Sequence, residues 1–253
     1  MSLERIDKLL SHEGLGTRKG IKKLLRVSEV LVNGKRVTDP GFSVNPDKDE
    51  ISVDGEEICI KKNLYIMMNK KSGYVSANKD GLHPTVFELL DDEFRTAYLE
   101  ENLHLVGRLD MDTEGLLLFT TDGKFIHRAT SPKTHLPKSY FVRIKNPENE
   151  DRQKEISVAF KKGIRIPRED NEDEADCKPA HIEWKNENEC VLTITEGKYH
   201  QVKRMFRAVE NEVIYLKRLT IGSLVLDEKL ALGEYRELTD EEIDSLLMNP
   251  SNL

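Results

Sequence analysis

The sequence predicts an α+β protein made of two domains. Its 253 residues exceed one average domain. Residues 4 to 60 carry two short helix patterns and a hairpin signal, enough for a small module of their own. From residue 64 onward, short apolar runs and period-two alternations are interleaved with amphipathic stretches, as in a sheet with helices packed on it. The polar run Lys61-Lys62-Asn63 is the linker, so the expected domains are 1–61 and 62–253.

The first helix pattern places Ile6, Leu9 and Leu10 on one face of Glu4 to Ser11, with Gly14 as its stop. Thr17 can cap a second helix, whose apolar face is Ile21, Leu24 and Leu25. Lys19, Lys22, Lys23 and Arg26 recur at helical spacing on another face. A solvated face is the ordinary reading of such a run. Four stacked like charges without an interleaved Glu, however, repel one another, and a polyanion would relieve that repulsion. Val30-Leu31-Val32 meets Lys35-Arg36-Val37 across Asn33-Gly34, a pair that suits a type I′ hairpin turn. Glu50 to Val53 is a further strand.

In the second domain, Leu64 to Met68 is a buried strand, and Val86, Leu89 and Leu90 after His83-Pro84-Thr85 give a helical pattern. His104 to Gly123 reads as an apolar strand end, a polar turn and a second strand, in which Leu116 to Phe119 should be buried on both faces. Arg108, Asp110, Asp112 and Glu114 lie between these strands, where charge is costly unless used. Phe125 to Ala129 and Arg152 to Gly163 read as helices. Strand patterns cover Lys138 to Ile144, Ile164 to Ile166, His181 to Trp184, Glu189 to Thr195 and Val213 to Leu219. Phe141 alternates with Tyr140, so the two should face opposite sides of the sheet. The acidic run Glu169 to Asp176 reads as a solvated loop on a surface away from a polyanion. From His200 an amphipathic helix carries Val202, Met205, Phe206 and Val209 on one stripe and His200, Lys203, Arg204 and Arg207 on the other. A last helix runs from Asp240 to Leu247.

Charged residues make up 34% of the chain and hydrophobic ones 38%, and the net charge is -7. The sum hides an asymmetry. Arg5 to Arg36 holds nine basic against three acidic residues, a balance of +6. An acidic protein with a basic face of this kind can bind RNA. No apolar run approaches membrane-spanning length, which gives the expectation of a cytoplasmic protein with no membrane partner. Cys59, Cys177 and Cys190 fit neither a disulfide framework nor a zinc site and read as structural thiols. There is no phosphate-binding loop, dinucleotide fingerprint or HExxH motif, so neither metal nor cofactor is expected.

The string GRLDMDTEGLLLFTTDG resembles the catalytic motif of pseudouridine synthases, and the resemblance extends over nearly the whole chain. Asn69-Lys70-Lys71-Ser72-Gly73 is similar to the family's Asn-Lys-Pro-x-Gly, with Lys71 in place of Pro. HPTV, HRATSP, PKSYFV, EGKYHQVKRMF and GEYRELT are most similar to the bacterial small-subunit rRNA synthase A branch. Residues 4 to 60 resemble the alpha-L RNA-binding fold of ribosomal protein S four. The resemblance implies a catalytic domain on a mixed, mainly antiparallel sheet flanked by helices. It implies Asp110 as nucleophile, Tyr140 stacked on the flipped base with a part in proton removal, and Lys203 paired with the Asp, Arg204 being the alternate. Leu216 would pack on the base and Arg108 help to displace it. Lys19, Lys22, Lys23, Arg26 and Arg204 would contact RNA. Asp112 and Thr113 would shape the turn. The reaction implied is isomerisation of one uridine in 16S rRNA or its precursor, of the pseudouridine-516 type, by a monomer that does not use DNA. An isomerisation consumes no redox or energy cofactor. The alternatives are a 23S rRNA synthase of the same family and a non-catalytic RNA-binding assembly factor, against which the full set Asp110, Tyr140 and Lys203 argues. A carboxylate glycosidase would need a second acting carboxylate.

Overall fold

The computed structural model describes residues 3–46, 48–58, 63–94, 97–131 and 136–247. Cys59 and the linker residues Lys61 and Lys62 lie outside them. The chain divides into two compact units, Met1–Leu64 with Asp92–Leu103, and Tyr65–Asp91 with His104–Leu253.

In the first unit, the helices Ile6–His12 and Arg18–Val27 pack with the strands Val30–Val32, Lys35–Arg36, Ile51–Val53 and Glu56–Glu57. The Thr17 hydroxyl accepts a hydrogen bond from Gly20 N at 3.1 Å and starts the second helix. Asn33 and Gly34 both have positive φ, 50° and 73°, the requirement of a type I′ turn. Ile6, Leu9, Leu10, Ile21, Leu25, Val30, Val32 and Ile51 form the core. Glu4 and Arg5, expected to be helical, instead pair antiparallel with Val44 and Ser43. Asp7 is buried against Arg5 at 2.8 Å, and that guanidinium holds its carboxyl below the usual carboxylate range. Lys19, Lys22, Lys23 and Arg26 are exposed, and among the described residues none pairs with a carboxylate.

The second unit is built on one mixed, mainly antiparallel sheet. Its order is His181–Trp184, Glu189–Ile194, Lys138–Ile144, Val213–Ile221, Glu114–Thr120, Tyr65–Lys70 and Tyr235–Glu237. Leu224–Val225 and His104–Leu105 add short strands to Val213–Ile221 and Glu114–Thr120. The latter two form a parallel pair, through Lys217 with Glu114 and Arg218 with Gly115. This joint brings the backbones very close. Gly115 has φ +97°, and a Cβ there would lie 2.2 Å from Arg218 O. Gly115→Ala is therefore expected to cost about 3 kcal/mol or more, read from urea unfolding, because both the strained φ and the backbone overlap oppose it.

Leu116, Leu117, Leu118 and Phe119 are all buried, as a strand covered on both faces requires. Helices Gly123–Thr130, Glu150–Lys162, Gln201–Arg207 and Asp240–Leu247 flank the sheet. The expected helix from Val86 is a single 3-10 turn, Val86–Leu89, capped reciprocally by Thr85 and Glu88 and ended by an extended Leu90. Cys177 and Cys190 are buried free thiols, and burial pushes them up to about 11 and about 12. No helix among the described residues is long and apolar enough to cross a membrane.

Candidate active site

The loop between His104–Leu105 and Glu114–Thr120 is fixed by backbone bonds rather than by its own charges. Ser76 Oγ donates to Leu109 O at 2.8 Å and accepts from Leu109 N at 3.1 Å. Gly73 N donates to Met111 O at 2.8 Å. The main anchor is Lys70, at the end of strand Tyr65–Lys70 and fully buried. Its ammonium donates to the carbonyls of Lys71, Asp110, Met111 and Thr113 at 3.2, 3.0, 3.1 and 2.8 Å. Burial pushes Lys70 down to about 8, against the opposing pull of Asp112 and Asp110. In the sequence this lysine stands at the end of a buried strand, within Asn69-Lys70-Lys71-Ser72-Gly73, with no sign of the loop that it anchors.

Asp110 is held half-buried on that loop. Lys203 Nζ, from helix Gln201–Arg207, lies 2.9 Å from Asp110 Oδ2 and 2.6 Å from Asp112 Oδ1. One ammonium thus bridges two carboxylates, and Asp112 does more than shape the turn. Burial alone would raise the Asp112 carboxyl; the Lys203 hydrogen bond and charge outweigh it and leave it lowered. The two carboxylates in turn hold Lys203 above its ordinary value despite its burial.

His200 caps the same helix with a left-handed backbone, φ 46° and ψ 31°. Such strain in a non-glycine residue is typical of sites held by their surroundings. Its Nε2 faces Asp110 Oδ1 at 3.7 Å and its Nδ1 faces Glu169 Oε1 at 3.4 Å, and its ring stacks on Tyr199. Arg207 also reaches Glu169, at 3.1 Å. Two sequence expectations are corrected here. The acidic run does not lie away from the site, because its first residue backs His200. Arg204 is not on an exposed basic stripe: it is 1% exposed and donates to the carbonyls of Pro167, Tyr199 and Asp173. It fastens the hairpin around residues 165–176 to the helix and is unavailable both to RNA and to Asp110.

Asp110 opens on a cavity of about 530 Å³, within the range of small-ligand clefts. Tyr140 and Leu216, 8% and 6% exposed, line it, and Arg108 is exposed on its lining. Phe141 projects to the opposite sheet face, against Tyr215. The cavity gathers Asp110, Tyr140, Leu216 and Arg108, with Lys203 behind Asp110. Lys19, Lys22, Lys23 and Arg26 belong to the other unit.

This is the arrangement of an enzyme: an anchored carboxylate, paired with an ammonium, opening on an aromatic-lined cleft. Residues 64–208 match the family model for RNA pseudouridylate synthase, and residues 4–51 match the S4 domain. The chain belongs to the RNA pseudouridylate synthase family, with an S4 RNA-binding domain ahead of the synthase domain. It is 43% identical over 246 residues to the uncharacterised RNA pseudouridine synthase YtzG of Bacillus subtilis, covering 96% of this chain and 98% of that one. It is 40% identical over 245 residues to ribosomal small subunit pseudouridine synthase A of Escherichia coli, covering 96% of this chain and all of the other. A pseudouridylate synthase crystal structure superposes with a TM-score of 0.64 at 40% identity, covering 96% and 99% of the two chains.

Proposed function

We propose that this protein converts one uridine of 16S rRNA, at the position numbered 516, to pseudouridine, acting as a cytoplasmic monomer on the free RNA or on an assembly particle. The observation that carries the reading is Asp110, paired with Lys203 and opening on the cavity lined by Tyr140 and Leu216. Full-length similarity to relatives named for the small subunit supports the target.

Asp110 starts the reaction at the ribose, by attack on C1′ or by assisting departure of the base. Lys203 holds it by an ion pair at 2.9 Å in a half-buried site. The uridine is extruded from its stack, a cost of a few kcal/mol, with Arg108 at the rim helping to displace it. Tyr140 stacks on the base and is placed for removal of the C5 proton, while Leu216 packs on it. The boundary at residues 61–62 separates this chemistry from RNA capture by the N-terminal domain.

Mapping tests the target. Carbodiimide-stop primer extension on rRNA from cells lacking the gene, then complemented with it, is expected to restore one stop in 16S rRNA. A restored stop in 23S rRNA alone would assign the other branch. The basic helix is tested separately. Neutralising Lys19, Lys22, Lys23 and Arg26 together is expected to lower the magnitude of the log–log salt slope of RNA binding by about 3. Turnover on a minimal substrate should persist.

A further inference from the structure

Several cations in and behind the cavity are matched. Lys203 pairs with Asp110 and Asp112, Lys198 with Glu196, and Arg207 with Glu169. Besides the exposed Arg108, two cations on the cavity lining have no carboxylate within reach among the described residues, Lys138 and Arg218. Arg218 is 2% exposed. Its Nε donates to Leu116 O at 2.8 Å and its Nη1 to Arg108 O at 3.4 Å, while its Nη2 is buried without a partner. The Lys138 ammonium has one weak contact, to Leu136 O at 3.3 Å.

The register explains why these two act together. Tyr140 is opposite Arg218 across the antiparallel ladder, Leu216 is opposite Val142, and Lys138 is two residues from Tyr140. Lys138, Tyr140, Leu216 and Arg218 therefore share one sheet face, and all four line the cavity. The two cations flank the residues assigned above to the base. Burial and the Arg218 charge both push Lys138 below its ordinary value, as expected of neighbouring cations with no anion between them.

We propose that Arg218 and Lys138 bind the uracil ring through its carbonyl oxygens and stabilise the negative charge that it acquires when it leaves the ribose. This rests on the proposed synthase reaction. When the C1′–N1 bond breaks, its electron pair stays with the base, giving a uracil monoanion with charge shared by N1, O2 and O4. When C5 bonds to C1′ the pair is returned, and loss of the C5 proton with protonation of N1 completes the isomer. Fixed donors aimed at charge that develops only during reaction lower the barrier without tightening substrate binding. A backbone phosphate fits less well. Phosphates stay at the mouth when a base is extruded, whereas a group meeting Arg218 must be inserted as far as the sheet face.

The test uses the full chain and 16S transcripts made with uridine or with 5-fluorouridine. Fluorine withdraws electrons, so the fluorinated base leaves with less need of stabilisation. The readout is the single-turnover rate of C-nucleoside formation, by digestion and mass spectrometry. Lys138→Met removes one weak hydrogen bond and shortens the unbranched side chain by one atom, so it should fold. Arg218→Met is the companion, and Lys138→Met carries the test alone if that variant unfolds. Lys138→Met is expected to slow uridine RNA about 10²-fold, fluorinated RNA at most about tenfold, and to leave RNA affinity and its salt dependence unchanged. Equal slowing on both RNAs marks a structural role and overturns the proposal. So does weakened binding with a shallower salt slope at an unchanged rate, which marks a phosphate contact. Wild type inert on uridine RNA overturns the underlying reaction and this inference with it.

Discussion

Asp110→Asn is expected to lower single-turnover pseudouridine formation at least about 10⁴-fold, the scale of losing a nucleophile. RNA affinity should stay within about threefold, and thermal melting should be nearly unchanged. The reason is local. The loop is held by backbone carbonyls that accept from Lys70 and by Ser76, and none of these bonds involves the Asp110 side chain. The amide keeps the size of the carboxylate and removes only its charge and nucleophilicity. Asp112→Asn is the control. It touches the same ammonium at 2.6 Å but its side chain is 66% exposed, so the loss there should stay within about tenfold. A wild-type rate in Asp110→Asn with a large loss in Asp112→Asn would exchange the two roles.

Lys70→Met is expected to be the most damaging change outside the reacting groups. It leaves four carbonyls around a buried position without their shared donor. Unsatisfied buried acceptors cost about 1–3 kcal/mol each. Partial relaxation of the loop brings the expected loss in urea unfolding to about 3 kcal/mol or more. Activity should fall about 10²-fold, because small displacements of a reacting group are costly. Lys70 also predicts a pH dependence. The ammonium titrates near 8, so the wild-type rate should fall as pH rises through about 8, when the loop loses one of its donors. Stability follows the opposite sign. The folded value lies below the 10.5 of a free lysine, so between pH 8 and 10.5 the unfolded chain binds more protons, and this group's contribution to stability rises with pH. An alkaline fall in rate without alkaline unfolding is the combined expectation, measured by rate–pH profiles beside thermal melts.

What could be read directly from the sequence was encoded locally. The turn carrying Asp110 is bracketed by two apolar strands, and both halves of that pattern lie within twenty consecutive residues. The Asn33-Gly34 turn, the Thr17 cap and the fully buried run Leu116 to Phe119 are likewise decided by near neighbours. What could not be read depends on groups distant in the chain. Lys70 follows an apolar strand pattern, and only the fold brings carbonyls from a loop some forty residues on over its ammonium. Arg204 falls on the basic side of a helical wheel, yet a hairpin from residues 165–176 covers that side and takes its hydrogen bonds. Glu169 belongs to an acidic run whose charge reads as solvated, and only the fold sets it behind His200. The orphaned nitrogen of Arg218 is the same kind of feature, a charge in a strand pattern whose surroundings appear only when two strands pair in parallel.

We propose that Asp110 acts on a uridine of rRNA within this cavity. Tritium release from 16S rRNA labelled at uracil C5 tests it most directly, because the label is lost only when C5 becomes bonded to the ribose. Wild type is predicted to release one equivalent per RNA and Asp110→Asn none over the same time. No release by wild type from either 16S or 23S rRNA, or full release by Asp110→Asn, would contradict it.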